Sequence, residues 1–211
     1  MTPESAVVRA PASDSLMRQL RRFTADDHAR AESAIGASLS ITNPTMETYA
    51  RTLARLASWY LPAEQGLDAW TTQLAEIGID WPARRKTDAF LRDLSAVRRP
   101  AGTLLRCQVP PLRDLVDVLG CLYVMEGATN GGRVLTRLVV APIGLSATNG
   151  GEFLSCYGDD VGAKWREFGA AACAYVARDP DGSARERTAF AIVSSAKRTF
   201  ASITEWLASP L

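Results

Sequence analysis

Apolar residues recur on one side of a helical projection in the first part of the chain. The stripe begins after Asp14 and ends near Gly36, and it predicts an amphipathic helix. Asp27 interrupts the apolar side at its middle. Its carboxylate therefore needs a hydrogen-bond or charge partner there, or an opening to solvent or ligand. The apolar positions are Leu16, Leu20, Phe23, Ala31, Ala34 and Ile35.

The same periodicity recurs along the rest of the chain, between joints rich in Pro, Gly or Asn. No region alternates as strands do, and no segment repeats. The pattern predicts an all-α bundle of about seven helices. We expect residues 1–13, which show little periodicity, to form a flexible arm, and residues 14–211 to form a single domain. The later helical patterns cover 45–61, 65–78, 84–97, 111–139, 151–177 and 184–207.

Composition is that of a globular protein with a substantial core, since 47% of the 211 residues are hydrophobic and 22% are charged. The 24 basic and 23 acidic residues leave a formal net charge of +1. This balance gives no global electrostatic attraction to nucleic acid or to a membrane, so any basic patch is local.

The four cysteines, Cys107, Cys121, Cys156 and Cys173, have neither CxxC spacing nor dense clustering. We interpret them as free thiols, and with no apolar signal segment we expect a cytoplasmic protein. The longest apolar stretch, at 118–125, is far shorter than the roughly 20 residues that span a bilayer.

His28 is the only histidine, which restricts metal chemistry. A di-iron carboxylate site uses ExxH pairs from two helices, and a Cys/His zinc cluster needs a ligand spacing that the cysteines lack. Heme remains possible because one proximal histidine holds its iron. Arg21, Thr24, Glu32 and Ile35 lie within about 40° of His28 on the helix, and Arg21 is roughly 10 Å away along the axis. The alternative is a surface or satisfied core histidine, which is the commoner outcome on pattern alone.

The segment GCLYVMEGATNGGRVL, at 120–135, has helical periodicity but carries four glycines. Each interior glycine costs a helix up to about 1 kcal/mol relative to alanine, so something must lie close to this backbone. Either a flat ligand stacks on a bare face or a second helix packs closely against it. The Gly131-Gly132 pair also favours a bend. Gly120, Gly127 and Gly131 share one side with Val124, Val134 and Leu138.

Four segments in this order and spacing resemble bacterial heme oxygenases, particularly those that accompany bacteriophytochromes. They are LRRFTADDHARAE, LYVMEGATNGGRVL, FLSCYGDDVGAKWREF and SSAKRTFASITEWL. The similarity extends over about 16–207, and the EG-[SA]-T-x-GG-x-V segment preceded by LYV is its most specific part. The resemblance implies the all-α heme oxygenase fold.

The resemblance also implies roles for individual residues. His28 matches the proximal heme ligand, and Glu32 follows it at the expected spacing. Gly127, Gly131 and Gly132 match the distal-helix glycines that let the backbone approach the heme face and bound O2.

Basic residues are implied near the heme propionates. Lys197 matches a residue of the last helix that pairs with a propionate in relatives, and Arg21 is placed by helical geometry for the same role. Arg133 is a further candidate, with a solvated surface charge as its alternative. Thr24, in the T-x3-H-x3-E pattern, and Val124, beside the glycines, complete the predicted heme-binding set.

One feature departs from the family pattern. Many heme oxygenases carry an Asp near the distal glycines, where it orders water that delivers protons, and this segment has none. Ala128 stands where relatives of the phytochrome-linked type often have Ser. We expect water held by Thr129, Asn130 or backbone carbonyls to deliver protons instead.

The resemblance therefore implies an enzyme that cleaves heme with O2 to biliverdin, at the α position, with release of CO and Fe(II). No dinucleotide fingerprint is present, so electrons come from an external ferredoxin or flavoprotein reductase, and a bacteriophytochrome is a possible biliverdin acceptor. Two alternatives stay open: a non-catalytic heme carrier or sensor on the same fold, and an all-α relative that binds another small molecule. The sequence indicates no nucleic-acid or membrane partner.

Overall fold

A computed structural model describes residues 15–98 and 104–209, and within these ranges the chain forms eight α-helices and no strand. The predicted all-α class is confirmed. The predicted arm at 1–13 lies outside the described residues, and the single-domain boundary stays a prediction. The helices are α1 (Leu16–Phe23), α2 (Ala25–Leu39), α3 (Met46–Asp68), α4 (Thr71–Glu76), α5 (Thr87–Ala96), α6 (Leu115–Leu135), α7 (Val161–Ala177) and α8 (Gly182–Ala208).

Helix boundaries differ from the predicted ones at three places. The first predicted helix is divided at Thr24, which lies between α1 and α2 with φ −110° and ψ 10°. The predicted joint after residue 61 is absent, because α3 continues through Pro62 with buried residues on both sides of it. The predicted start at 151 is also wrong, since Tyr157 and Gly158 have positive φ values that end regular helix, and α7 begins at Val161.

The centre of the bundle is the packing of α6 against α8, and α2 also packs against α8. Gly120 permits the close approach of α6 to α8, because a Cβ at this position would lie 2.4 Å from Cβ of Ser195. Close helix packing, the alternative for the glycine face, therefore applies to Gly120.

The end of α6 is irregular. The helix stays α-helical through Gly131 and Gly132 and changes to a π-helix at Thr136–Val140. The bend predicted at the glycine pair stays a prediction. Thr136 Oγ1 donates to the carbonyl oxygen of Gly132 at 2.9 Å and supports this junction.

All four cysteines are free thiols, as predicted. Among the helices of the described ranges, none combines the length and the apolar character that crossing a bilayer requires.

Candidate functional site: a cavity between α2 and α6

A cavity of about 600 Å³ is lined by α2, α3, α6 and the loop before α7, with Phe200 and Ile203 of α8. Its volume lies in the range of small-molecule and cofactor sites, roughly 300–1,000 Å³. Most of the lining is apolar, including Leu53, Leu56 and Phe153. Ten of the predicted site residues line this cavity: Arg21, His28, Glu32, Val124, Gly127, Ala128, Thr129, Asn130, Gly131 and Gly132.

His28 lies in the second turn of α2 with its side chain half exposed. Its Nδ1 is 3.6 Å from Oε2 of Glu32, and its ring meets Phe200 edge-on at a centroid distance of 5.8 Å. A ligating histidine commonly directs its second nitrogen at a carboxylate, which orients the ring. Glu32 is placed for that task, and Nε2 is left for a ligand in the cavity.

The predicted basic residues have different partners. Arg21 is exposed, lines the cavity and forms no hydrogen bond or ion pair with the residues that the structure describes. Lys197 lies outside the lining: its Nζ is 3.5 Å from Oδ2 of Asp27 and donates to the carbonyl oxygen of Phe23 at 3.3 Å. Arg30 also pairs with Asp27. Two cations therefore satisfy the carboxylate that interrupts the apolar stripe.

Two further predicted residues also lie outside the lining. Arg133 pairs with Asp159 at 2.6 Å and donates to the carbonyl oxygen of Gly158 at 2.7 Å. These two contacts hold the loop before α7 against α6. Thr24 is buried, and its Oγ1 donates to the carbonyl oxygen of Leu20 at 2.8 Å. Thr24 thus supports the junction of α1 and α2 from beneath the site.

The glycines of α6 serve two purposes. A Cβ at Gly132 would lie 1.9 Å from the carbonyl oxygen of Leu154, so this position requires glycine for close packing. A Cβ at Gly131 would meet nothing within 4 Å, and one at Gly127 would make ordinary contact with Trp165 at 3.7 Å. Gly127 and Gly131 therefore form the bare part of the cavity wall.

The two polar residues of the segment make bonds within their own helix. Thr129 Oγ1 donates to the carbonyl oxygen of Glu126 at 2.7 Å, and Asn130 Nδ2 donates to that of Gly127 at 3.2 Å. Their side chains line the cavity, but these donors are directed at the backbone.

Sequence reasoning missed several residues of the cavity wall and its support. Tyr49, Tyr60, Lys86 and Cys156 line the cavity. Burial raises the pKa of the Cys156 thiol to about 11 and keeps it protonated at neutral pH. The sequence signal for Lys86 was weak, since RRK at 84–86 is only a short charged run beside an apolar helix. Glu126, which precedes the first glycine of GATNGG, is likewise a single charged residue next to apolar ones. Across residues 15–98 and 104–209, no three His, Cys, Asp or Glu side chains are close enough to hold a metal ion.

The eight helices enclose an apolar cavity, and comparisons with known proteins identify the fold. A heme oxygenase from Neisseria meningitidis, solved with NO and CO bound, superposes with a TM-score of 0.73 at 15% identity, covering 92% of this chain and 91% of that one. Heme oxygenase from Leptospira interrogans gives a TM-score of 0.69 at 21% identity, covering 92% and 98%. The fold is that of the heme oxygenases.

Sequence comparison is consistent with this result. A curated heme oxygenase from Xanthomonas campestris pv. campestris (strain 8004) is 32% identical over 93 residues, 44% of this chain and 53% of the relative. The chain thus matches about half the length of that relative. No family model matches the chain. The resemblance to bacterial heme oxygenases is confirmed, and the bacteriophytochrome-associated type stays a prediction.

Proposed function

We propose that this protein is a heme oxygenase that binds heme between α2 and α6 and cleaves it with O2 and external electrons to biliverdin, CO and Fe(II). One observation carries the proposal: the half-exposed imidazole of His28 and the bare backbone of Gly131 line the same apolar cavity. A ligand in this cavity meets an iron-binding nitrogen and a surface without side chains.

The residues present fit heme. A single histidine is enough to hold heme iron, and the apolar lining suits the macrocycle. Arg21 supplies a cation with no carboxylate partner in the described structure, as a propionate requires. The space at Gly131 admits a flat ring or a small second ligand where any side chain would intrude.

His28 would bind the iron, and Glu32 would hold the imidazole ring in a defined orientation. The heme would supply both the metal that binds O2 and the porphyrin ring that is opened. Glu32, close to Nδ1, favours the tautomer with the proton on Nδ1 and a free Nε2. Imidazole ligation suits ring oxidation, whereas a thiolate would favour O–O cleavage.

Arg21 would fix rotation of the heme in its plane through a propionate. Lys197 and Arg133 were implied for related roles, but each has a protein carboxylate partner. The geometry therefore favours Arg21 as the anchor. Such a half-solvated pair contributes about 0–1 kcal/mol, so burial of the macrocycle supplies most of the affinity and Arg21 mainly orientation.

Gly127 and Gly131 would leave room over the ring for O2, and the apolar wall would exclude bulk water. Val124 extends this wall along α6. Cleavage at the α position, giving biliverdin IXα, rests on the resemblance.

The electron donor, the acceptor and the location are part of the same proposal. We infer that electrons come from an external ferredoxin or flavoprotein reductase, that biliverdin passes to a bacteriophytochrome, and that the reaction takes place in the cytoplasm. No glycine-rich dinucleotide fingerprint occurs in the sequence, which supports an external reductant.

The test is an absorption spectrum of the protein with one equivalent of hemin, followed in air after addition of ascorbate or a ferredoxin and its reductase. Decay of a histidine-ligated Soret band with growth of red absorption from biliverdin supports the oxygenase. A stable Soret band indicates a heme carrier or sensor, the second candidate, which the missing distal Asp favours. Absence of any Soret band indicates that the fold binds another molecule.

A further inference from the structure

A cluster of buried charges lies behind the cavity wall, at residues that the sequence did not single out. The side chains of Arg84, Lys86 and Glu126 are each 1% exposed, and Lys86 belongs to the cavity lining. Glu126 directly precedes Gly127 in α6. Replacing a buried ion pair with apolar residues of similar volume is often neutral or stabilising. A contribution to stability is therefore a weak explanation for this cluster.

Tyr157 completes the cluster, because its hydroxyl contacts both Lys86 and Glu126. Lys86 Nζ donates to Oε1 of Glu126 at 3.1 Å and to the hydroxyl of Tyr157 at 3.2 Å. The Tyr157 hydroxyl donates to the same Oε1 at 2.8 Å. A proton can therefore move between the ammonium and the phenol, which share one carboxylate oxygen as acceptor, without rearrangement of the backbone.

Arg84 contributes a permanent positive charge to the cluster. It donates to Oε2 of Glu126 and, at 3.1 Å, to Oε2 of the half-exposed Glu167. A guanidinium does not lose its proton in proteins, so Arg84 contributes charge and hydrogen bonds to the cluster and transfers no proton itself.

The remaining neighbours of Lys86 come from two other elements. Glu64 of α3 accepts the backbone N–H of Lys86 at 2.6 Å, and the Cys156 thiol lies close enough to sense the ammonium. The other hydrogen-bond partners of Lys86 are the carbonyl oxygen of Arg84, the Glu126 carboxylate and the Tyr157 hydroxyl, and Tyr60 lies near Glu64, Glu126 and Cys156.

One end of the cluster is at the cavity, and the other belongs to the loop before α7, next to the exposed residues 158–160. Lys86 lines the cavity, whereas Tyr157 is half-buried in the loop before α7. Tyr157 has φ +67°, a left-handed conformation that non-glycine residues seldom adopt. Burial and the Glu126 carboxylate raise the pKa of Tyr157, so its hydroxyl stays protonated in the physiological range.

No other charged donor occupies this part of the wall in residues 15–98 and 104–209. The other charged or imidazole residues of the lining, Arg21, His28 and Glu32, belong to α1 and α2. The three hydrogen bonds of Lys86 Nζ measure 3.0–3.2 Å, longer than the 2.7–2.9 Å typical of charge-assisted bonds. A cavity water can thus replace one of them at low cost.

We propose that Lys86 and Tyr157, held together by Glu126, form a proton relay from the protein surface to the cavity, in place of the distal Asp that this chain lacks. The inference rests on the proposed function, since O2-dependent ring opening consumes protons. The Lys86 ammonium gives a proton to a cavity water, and the resulting amine takes a proton from the Tyr157 hydroxyl as that hydroxyl accepts another from solvent, so no phenolate forms. The net change is transfer of a proton from solvent to the cavity, with no electron moved.

Three variants separate charge from proton transfer. Lys86→Met removes both, Lys86→Arg keeps the charge, and Tyr157→Phe removes only the hydroxyl. The first readout is the acid–alkaline transition in the absorption spectrum of the ferric heme complex. Its midpoint rises by about one pH unit in Lys86→Met, because a cation near the cavity is lost, and stays unchanged in the other two variants.

The second readout is turnover with its solvent deuterium isotope effect. All three variants lose about 100-fold in rate, because general acid catalysis contributes at least that factor and a guanidinium does not release its proton. Lys164→Met is the matched control: its side chain is 27% exposed and lies outside the cavity lining, its ammonium pairs only with Glu167 in the described residues, and its loss leaves midpoint and rate unchanged.

Several results would overturn the relay. Wild-type rates in Lys86→Arg and Tyr157→Phe would show that no proton passes through these groups, and an unchanged midpoint in Lys86→Met would show that Lys86 does not act on the cavity. If Lys86→Met fails to fold, which circular dichroism would reveal, Tyr157→Phe decides alone. If the wild-type chain degrades heme while the variants match it, only the relay fails; if the wild-type chain binds no heme, the proposed function and the relay fail together.

Discussion

Two basic side chains near the cavity, Arg21 and Lys197, differ in whether the fold supplies a carboxylate partner for their charge. Lys197 lies between Asp27 and the carbonyl oxygen of Phe23, and it ties the junction of α1 and α2 to α8. Arg21 lines the cavity without an ion pair to any described residue. Periodicity could place both residues on plausible helix faces, but it could not show that Asp27 pairs with Lys197 and leaves Arg21 without a carboxylate.

The pair Arg21→Met and Lys197→Met tests this difference. Arg21→Met should give a mixture of biliverdin isomers with heme affinity reduced at most about fivefold, because one solvated ion pair contributes about 0–1 kcal/mol. Lys197→Met should keep a single isomer and lower the free energy of unfolding slightly. Chromatography of the products and urea unfolding measure both effects. A single isomer from Arg21→Met with a mixture from Lys197→Met would reverse the assignment.

His28→Ala should abolish turnover while weak heme binding persists, because burial of the macrocycle does not depend on the imidazole. The histidine-ligated Soret spectrum should disappear, and heme titration should still saturate. Ser33→Ala, on the exposed side of α2 and outside the cavity lining, is the control and should behave as wild type. Undiminished biliverdin production by His28→Ala would contradict the assignment of the iron ligand.

Helix α6 carries its glycines for two different reasons. Gly120 and Gly132 allow backbone and side-chain atoms of neighbouring segments to approach, whereas Gly131 leaves open space beside the cavity. Periodicity predicted the shared face of α6 but could not divide its members between packing and ligand. That division depends on Ser195 and Leu154, which lie far along the chain.

The same substitution at adjacent positions separates these uses. Gly131→Ala should raise the free energy of unfolding by up to about 1 kcal/mol, because alanine is the better helix former and its Cβ meets nothing. Gly132→Ala should lower it by about 1–3 kcal/mol, since the Cβ collides with the carbonyl oxygen of Leu154. Urea unfolding of the heme-free protein measures both. Equal effects of either sign would contradict the two-role description of α6.

A larger side chain at the same position tests the cavity wall itself. Gly131→Leu should reduce O2-dependent heme degradation more than heme affinity, because the side chain occupies space over the ring. Heme titration and the rate of biliverdin formation distinguish the two effects. Lost heme binding with normal degradation of what remains bound would contradict a distal role for Gly131.

Across the whole molecule, local patterns predicted the architecture better than the site. The helical class, the position of His28 on α2 and the glycine face of α6 follow from periodicity within single helices. The Lys86–Glu126–Tyr157 cluster does not, since its hydrogen bonds join residues separated by 40 and 31 positions. No spacing rule connects such residues, because the bundle's packing alone brings them together.

A buried thiol makes the free energy of unfolding depend on pH in the alkaline range. Burial raises the pKa of Cys121 from about 9 to about 12, so the folded chain holds this proton more tightly than the unfolded chain. The free energy of unfolding should therefore fall as pH rises from about 9 toward 12, at about 1.4 kcal/mol per pH unit for this thiol. Cys121→Ala should reduce that slope between pH 9 and 10 in urea unfolding. An unchanged slope would show that Cys121 does not titrate with unfolding.

The cavity also links folding to ligand supply. A molecule that fills some 600 Å³ of the native bundle has no matching site in the unfolded chain, so it stabilises the fold by mass action. At a free concentration 100 times its Kd this amounts to about 2.7 kcal/mol, or roughly a hundredfold fewer unfolded chains. Cellular proteases act on unfolded chains first. We therefore expect the lifetime of this protein in a cell to lengthen when its ligand is plentiful, so that the amount of protein follows the supply of that ligand without any change in synthesis.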